Sequence, residues 1–93
     1  MADPLVGYAV LFEEEAKKRF DRLDKSIRVH LLNKIAKLAD DWSASRHLGH
    51  GSPYFVEEAG GFRIAFKLDG ERKTKTIAFV GDHKEYERWY SGK

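Results

Sequence analysis

The 93 residues contain no cysteine. That excludes disulfides, thiolate metal sites and a cysteine nucleophile, and it fits a reducing cytoplasm without requiring one. No apolar run approaches the length that crosses a bilayer, and the N-terminus lacks the basic-then-apolar pattern of a secretory leader. A soluble cytoplasmic protein is the expectation. The chain is also short of net charge: 17 Lys and Arg against 15 Asp and Glu leave +2, too little by itself to argue for a nucleic-acid partner. No repeat, low-complexity tract or linker divides it, so a single domain over residues 1–93 with one small core is expected.

What is present suffices for a folded chain, with 42% hydrophobic and 13% aromatic residues. The charge is unevenly placed. Residues 1–45 hold eight cations and eight anions, whereas residues 46–93 hold nine against seven, with three of the four histidines.

Tyr8 to Phe12 reads as a short strand, and Glu13-Glu14-Glu15 opens a helix, because carboxylates favour the positive end of the helix dipole. Ala16, Phe20 and Leu23 form its buried stripe. After a break at Leu23 to Ser26, where Asp24 or Ser26 can cap, the spacing predicts a second helix from Ile27 to Trp42. Leu31, Leu32, Ile35, Leu38, Ala39 and Trp42 form its apolar side, and Arg28, Lys34, Lys37 and Asp41 its wet side. His30 is expected at the surface or boundary. Ser43 to Pro53 has loop composition, Tyr54 to Glu58 is a third strand-like run, and Gly60-Gly61 closes it.

The stretch from Gly61 to Tyr90 organises the rest. Phe62, Ile64, Phe66 and Leu68 alternate with Arg63, Ala65 and Lys67, and Asp69-Gly70 is the expected turn, its glycine supplying a positive φ. Arg72 to Val80 is the return strand, with Lys73, Lys75, Ile77 and Phe79 on one side. A loop with His83 and a short polar-aromatic helix follow. The expected class is α+β: an N-terminal strand, a helical hairpin on a mostly antiparallel four-stranded sheet, and a short C-terminal helix.

Several chemistries can be set aside. His47 and His50 stand three apart and Asp82 adjoins His83, but neither HExxH nor CxxC accompanies them, so no metal or cofactor is expected. The glycines from Gly49 to Gly61 are followed by no GK[ST], and no serine sits in a nucleophile elbow.

The constellation that remains is Arg63, Lys67, Lys75, His83, Tyr86 and Tyr90, joined by Arg46, His47 and His50 from the loop. Cleaving an RNA phosphodiester needs a base for the 2′-hydroxyl, a cation for the phosphorane charge and an acid for the departing 5′-oxygen. Histidine titrates near neutrality and can serve as either proton carrier. Arginine's planar fork suits phosphate, and tyrosine can stack on a base. The same residues also describe a solvated cationic strand face with a histidine capping a helix.

Two stretches, GGFRIAFKLDGE and FVGDHKEYERWY, together with the helical hairpin before them, resemble the RelE/ParE superfamily of toxins. The likeness runs from Tyr8 to Tyr90, and the His-Lys-Glu-Tyr spacing is similar to the HigB-like branch. The resemblance implies a metal-independent endonuclease that cuts mRNA on the ribosome and is silenced by a cognate antitoxin. It implies that Arg63 steadies the scissile phosphate, His83 is general acid or base, and Tyr86 or Tyr90 orients substrate. Lys67 and Lys75 become supporting phosphate contacts. Arg46, His47 and His50 stand where relatives carry a lysine-rich run. Glu57 and Glu58 replace basic residues, one of them a possible general base. A ParE-like gyrase inhibitor and a non-catalytic RNA- or partner-binding module are the alternatives.

Overall fold

The computed structural model describes residues 7–39, 46 and 47, and 53–92. In chain order the elements are β1 (Ala9–Phe12), α1 (Glu14–Asp21), α2 (Lys25–Leu38), β2 (Arg46–His47), β3 (Tyr54–Ala59), β4 (Phe62–Asp69), β5 (Thr74–Asp82) and α3 (His83–Ser91). The five-stranded sheet has the order β1-β5-β4-β3-β2. β1 runs parallel to β5, and every other pairing is antiparallel. The α+β class and the four expected strands are present. The addition is β2, two residues within the stretch read as loop, pairing along the open edge of β3. Asp41, Trp42 and His50 lie outside the described residues.

The charge pattern favours α1, whereas α2 depends on its apolar stripe. α1 has Glu14 and Glu15 in its first turn and Lys18 and Arg19 in its last, each sign at the favourable dipole end. α2 starts at Lys25, two residues ahead of the expected Ile27, and of the two expected caps Asp24 takes the N-cap position, though its side chain makes no capping bond. An Arg28 guanidinium bond to the Leu23 carbonyl ties the first turn of α2 to the preceding break. Leu31, Ile35 and Leu38 recur at helical spacing and are buried against the sheet. Leu32 is not: it stands half exposed beside Val29 on the outward side of α2. One residue past Leu31, about 100° of rotation, is enough to take it off the core.

The main core lies between these helices and one sheet face. Ala16, Phe20, Leu31 and Leu38 meet Ile64, Phe66, Ile77 and Val80 there, with Phe12 against Phe20 and Phe55 against Phe66. The opposite face carries a smaller cluster of Val56, Ala65, Phe79 and Tyr86, with Trp89 packed on it.

One register irregularity divides residues between those two clusters. Ala65 stands opposite Phe79 and Phe66 opposite Ile77, so Ala78 is an extra residue in β5. This β-bulge reverses the alternation. Ile77 enters the helix-covered core while Phe79 turns to the other face. The simple alternation placed them together, and the bulge corrects it.

The β4–β5 connection also departs from expectation. Asp69 closes β4, and its carboxylate accepts the N–H groups of Glu71 and Arg72, both at 3.1 Å. The positive φ of the turn falls on Lys73, at 56°, rather than on Gly70. β5 accordingly begins at Thr74, not Arg72.

Gly81 sits where β5 feeds α3. A Cβ there would lie 2.6 Å from Cζ of Phe79 and 2.8 Å from Oε1 of Glu85, the residue that closes the cap of α3. Gly81→Ala is therefore expected to cost about 2 kcal/mol, since both neighbours are held by packing or hydrogen bonds. Urea unfolding measures it, and an unchanged midpoint would show that α3 docks less tightly than described.

Candidate nucleic-acid interface

The face not covered by α1 and α2 is assembled from three strands and α3. On β4, Arg63, Ala65 and Lys67 point to it. The β3 residues opposite them are Glu58, Val56 and Tyr54. On β5, Gly81 stands across from Arg63 and Thr76 across from Lys67. Adjacent to Lys67, a cleft of about 840 Å³ opens, lined in part by Leu11, Glu13, Thr74 and Thr76.

α3 closes the other half of this face. Its start is fixed by a reciprocal cap: the Asp82 carboxylate accepts the Glu85 N–H at 2.8 Å, and the Glu85 carboxylate accepts the Asp82 N–H at 3.0 Å. Its aromatic side docks on Phe79. Trp89 stacks on that ring at 5.1 Å, and Tyr86 meets it edge-on at 5.9 Å. Trp89 also meets Tyr54 of β3 edge-on at 5.0 Å, while Tyr90 lies parallel to Tyr86 at 6.0 Å. Rings in offset or edge-on contact hold one another in place as well as burying area.

The cations rest on this aromatic layer. The Arg63 guanidinium lies 4.9 Å over the Tyr86 ring and meets the Glu58 carboxylate at 3.1 Å. The Lys67 ammonium lies 5.8 Å over Tyr54 and meets Glu13 at 3.4 Å. Each has a ring on one side and a carboxylate on another, Glu58 from the adjacent β3 and Glu13 from the end of β1, two strands away. His83 is the first residue of α3, half exposed, with Nε2 3.0 Å from Glu87 one turn on. Arg63 stands opposite Gly81, so His83 emerges just beyond it.

Arg63, Lys67 and Tyr86 thus share one face, with Tyr90 stacked on Tyr86 and His83 at the start of the same helix, two residues past Gly81. Tyr86 is 5% exposed beneath the guanidinium, whereas Tyr90 is 38% exposed. Lys75 is not brought there. It is 3% exposed on the helix-covered face, with its ammonium 4.9 Å from the Tyr8 ring and 5.6 Å from that of Phe66. Two residues before Ile77 and ahead of the bulge, it shares the face of Ile77 and so points away from Arg63. Arg46 lies on the edge strand, opposite Val56 in register. Glu57 pairs with Lys34 of α2 at 3.2 Å on the helix side, leaving Glu58 as the β3 carboxylate beside Arg63. Sequence reasoning missed Tyr54, Trp89 and Glu13. Tyr54 could have been found from its position opposite Lys67, two strand steps from Glu58.

Comparison with solved structures identifies the architecture. The toxin–antitoxin complex RelBE2 of Mycobacterium tuberculosis matches with a TM-score of 0.75 at 20% identity, over 85% of this chain and 94% of that one. The fold is that of the RelE toxins. The isolated RelE toxin of Escherichia coli matches at 0.69 and 19% identity, over 90% and 96% of the two chains. The RelB–RelE antitoxin–toxin complex of Methanococcus jannaschii matches at 0.66 and 14%, over 86% and 98%. No protein-family model and no curated protein matches the sequence. The chain thus shares most of the extent of the RelE fold, at an identity too low to carry residue roles with it.

Within this RelE-like fold the cap at Asp82 decides where His83 stands. Asp82→Ala is expected to lower stability by about 1 kcal/mol and to raise hydrogen exchange through the first turn of α3 more than elsewhere. Uniform exchange across the chain would contradict that local role.

Proposed function

We propose that this protein is the toxin of a toxin–antitoxin pair and a metal-independent endoribonuclease that cleaves mRNA on the ribosome in the cytoplasm. The observation that carries the reading is the Arg63 guanidinium seated over Tyr86 on the open face of a RelE-like sheet, with Tyr90 stacked on Tyr86 and His83 opening the same helix. The solved complexes of that fold with antitoxins support a protein partner here as well.

In this account the phosphate to be cut approaches Arg63, whose planar donors hold a phosphate oxygen and meet the charge that grows on it during attack. The 2′-hydroxyl gives its proton to a base, its oxygen bonds phosphorus, and the P–O5′ bond breaks as that oxygen takes a proton. Products are a 2′,3′-cyclic phosphate and a 5′-hydroxyl. His83, an imidazole at the rim, carries one of these protons. Tyr86 braces the guanidinium from below, and Tyr90 offers an exposed ring for a neighbouring base. Lys67 and, from the edge strand, Arg46 contact flanking phosphates. An antitoxin that silences the toxin would cover Arg63 and Lys67 with acidic or apolar segments.

Induced expression with mapping of mRNA 5′ ends tests this. Wild type is expected to arrest growth with new in-frame cuts. Arg63→Ala should lower cleavage by about a thousandfold and His83→Ala by at least about a hundredfold, with RNA affinity falling little in the latter. Arrest without cuts would favour a ParE-like gyrase inhibitor, and loss of neither activity nor binding in His83→Ala would favour a docking module. Lys75→Met should leave cleavage intact, because its side chain is buried on the helix side, away from Arg63. A cleavage loss as large as that of Arg63→Ala would place Lys75 at the substrate after all.

A further inference from the structure

Arg63 and Lys67 on the open face are each occupied by a carboxylate. Glu58 meets Arg63 at 3.1 Å and Glu13 meets Lys67 at 3.4 Å, so the two pairs sum to no charge. Both carboxylates are accessible to water. Glu58 is half exposed, and the Glu13 side chain makes no capping bond to α1 despite standing at its N-cap. The rings, by contrast, fix the cations: Tyr86 lies beneath Arg63 and Tyr54 beneath Lys67, and Trp89 touches both rings. Arg63 is the sheltered member of its pair, its side chain 23% exposed against 52% for Glu58, and an ion pair open to water on its carboxylate side contributes little and separates readily. The cations are therefore held by the rings, while their anions can be exchanged.

We propose that Glu58 and Glu13 are internal counter-anions that occupy Arg63 and Lys67 in the free protein and give way to two substrate phosphates on binding. This rests on the reading of the open face as an RNA site. Phosphate entering beside Arg63 takes up the donors that Glu58 held, and the released carboxylate gathers a solvent cation. Binding a single strand normally sheds about 0.7 counterion per phosphate neutralised. Each carboxylate released takes up a comparable fraction, about 0.7 of a cation, and cancels most of that gain. The face consequently has low affinity for free RNA and a shallow salt dependence, and it depends on another component to present the strand. Glu58 acts through Arg63 and is a positioning residue.

The test is equilibrium binding of a 2′-O-methyl RNA oligonucleotide, which cannot be cut, over a salt series. Wild type, Glu58→Gln, Glu13→Gln and the double variant are compared, beside cleavage of the unmodified strand. Glutamine keeps the shape and removes the charge. Each single change is expected to tighten binding roughly three- to tenfold at low salt and to steepen the log–log salt slope by about 0.7, the double variant by about 1.4. Unchanged affinity and slope would overturn the proposal and leave the pairs as strand-aligning contacts. Unchanged binding with a cleavage loss of about a hundredfold in Glu58→Gln would overturn it for Glu58 and make that residue a proton acceptor. If no form cuts RNA yet the glutamine variants bind tighter, the nuclease reading fails and the counter-anion role stands. If wild type cuts and no variant tightens, the reverse holds.

Discussion

One inserted residue governs how the rest of this molecule is arranged. With Ala78 bulged out of register, β5 presents Ile77 and Val80 to the helices and Phe79 to the opposite face. Phe79 is then the anchor on which Trp89 and Tyr86 of α3 pack, and the guanidinium of Arg19 on α1 reaches it at 4.8 Å. Unbroken alternation would leave α3 without that ring and Arg63 without the Tyr86 platform. The bulge also falls where β1 ends: Phe12 is opposite Ile77, and the Glu13 N–H donates to the Ile77 carbonyl at 2.8 Å. Bulges of this kind bend and twist a strand where pairing changes. Here the bend coincides with the handover of the β5 edge from β1 to α1.

Charge is used in two different ways on the two faces. On the helix side, Lys75 is buried against aromatic rings, where the quadrupole of each ring offsets part of the lost hydration. On the open side, Arg63 and Lys67 each pair a ring with an accessible carboxylate. Desolvation separates the cases: a buried ammonium is part of the core, whereas an exposed pair can trade partners with an incoming anion at small cost. A net charge of +2 conceals this division.

Much of the architecture was legible from periodicity. Leu31, Ile35 and Leu38 marked the contact line of α2, the alternation around Arg63 marked β4, and the His83-to-Tyr90 segment read as a helix beside the sheet. The features that escaped depend on tertiary context. No residue type announces a bulge at an alanine, so Phe79 was placed with Ile77. Gly70 was the natural bearer of a positive φ, yet the Asp69 carboxylate shifts the turn forward and Lys73 adopts it. Leu32 looked apolar enough for the core, but burial depends on which side of α2 meets the sheet. Lys75 read as a surface cation because lysine usually is one, and only the register shows it ahead of the bulge on the covered face. Of the site, Arg63, Lys67, His83, Tyr86 and Tyr90 were named from sequence. The ring-and-carboxylate setting of the cations required the fold.

The central claim is that RNA meets the sheet face opposite α1 and α2, at Arg63. The most direct measurement is an NMR titration of the ¹⁵N-labelled protein with a non-cleavable RNA oligonucleotide, following the Arg63 Nε–H, the Trp89 indole and the α3 backbone amides. The account predicts shifts concentrated at Arg63, Lys67, His83 and Tyr90. Shifts centred instead on the exposed Val29 and Leu32 side of α2, with the Arg63 signal unmoved, would contradict it.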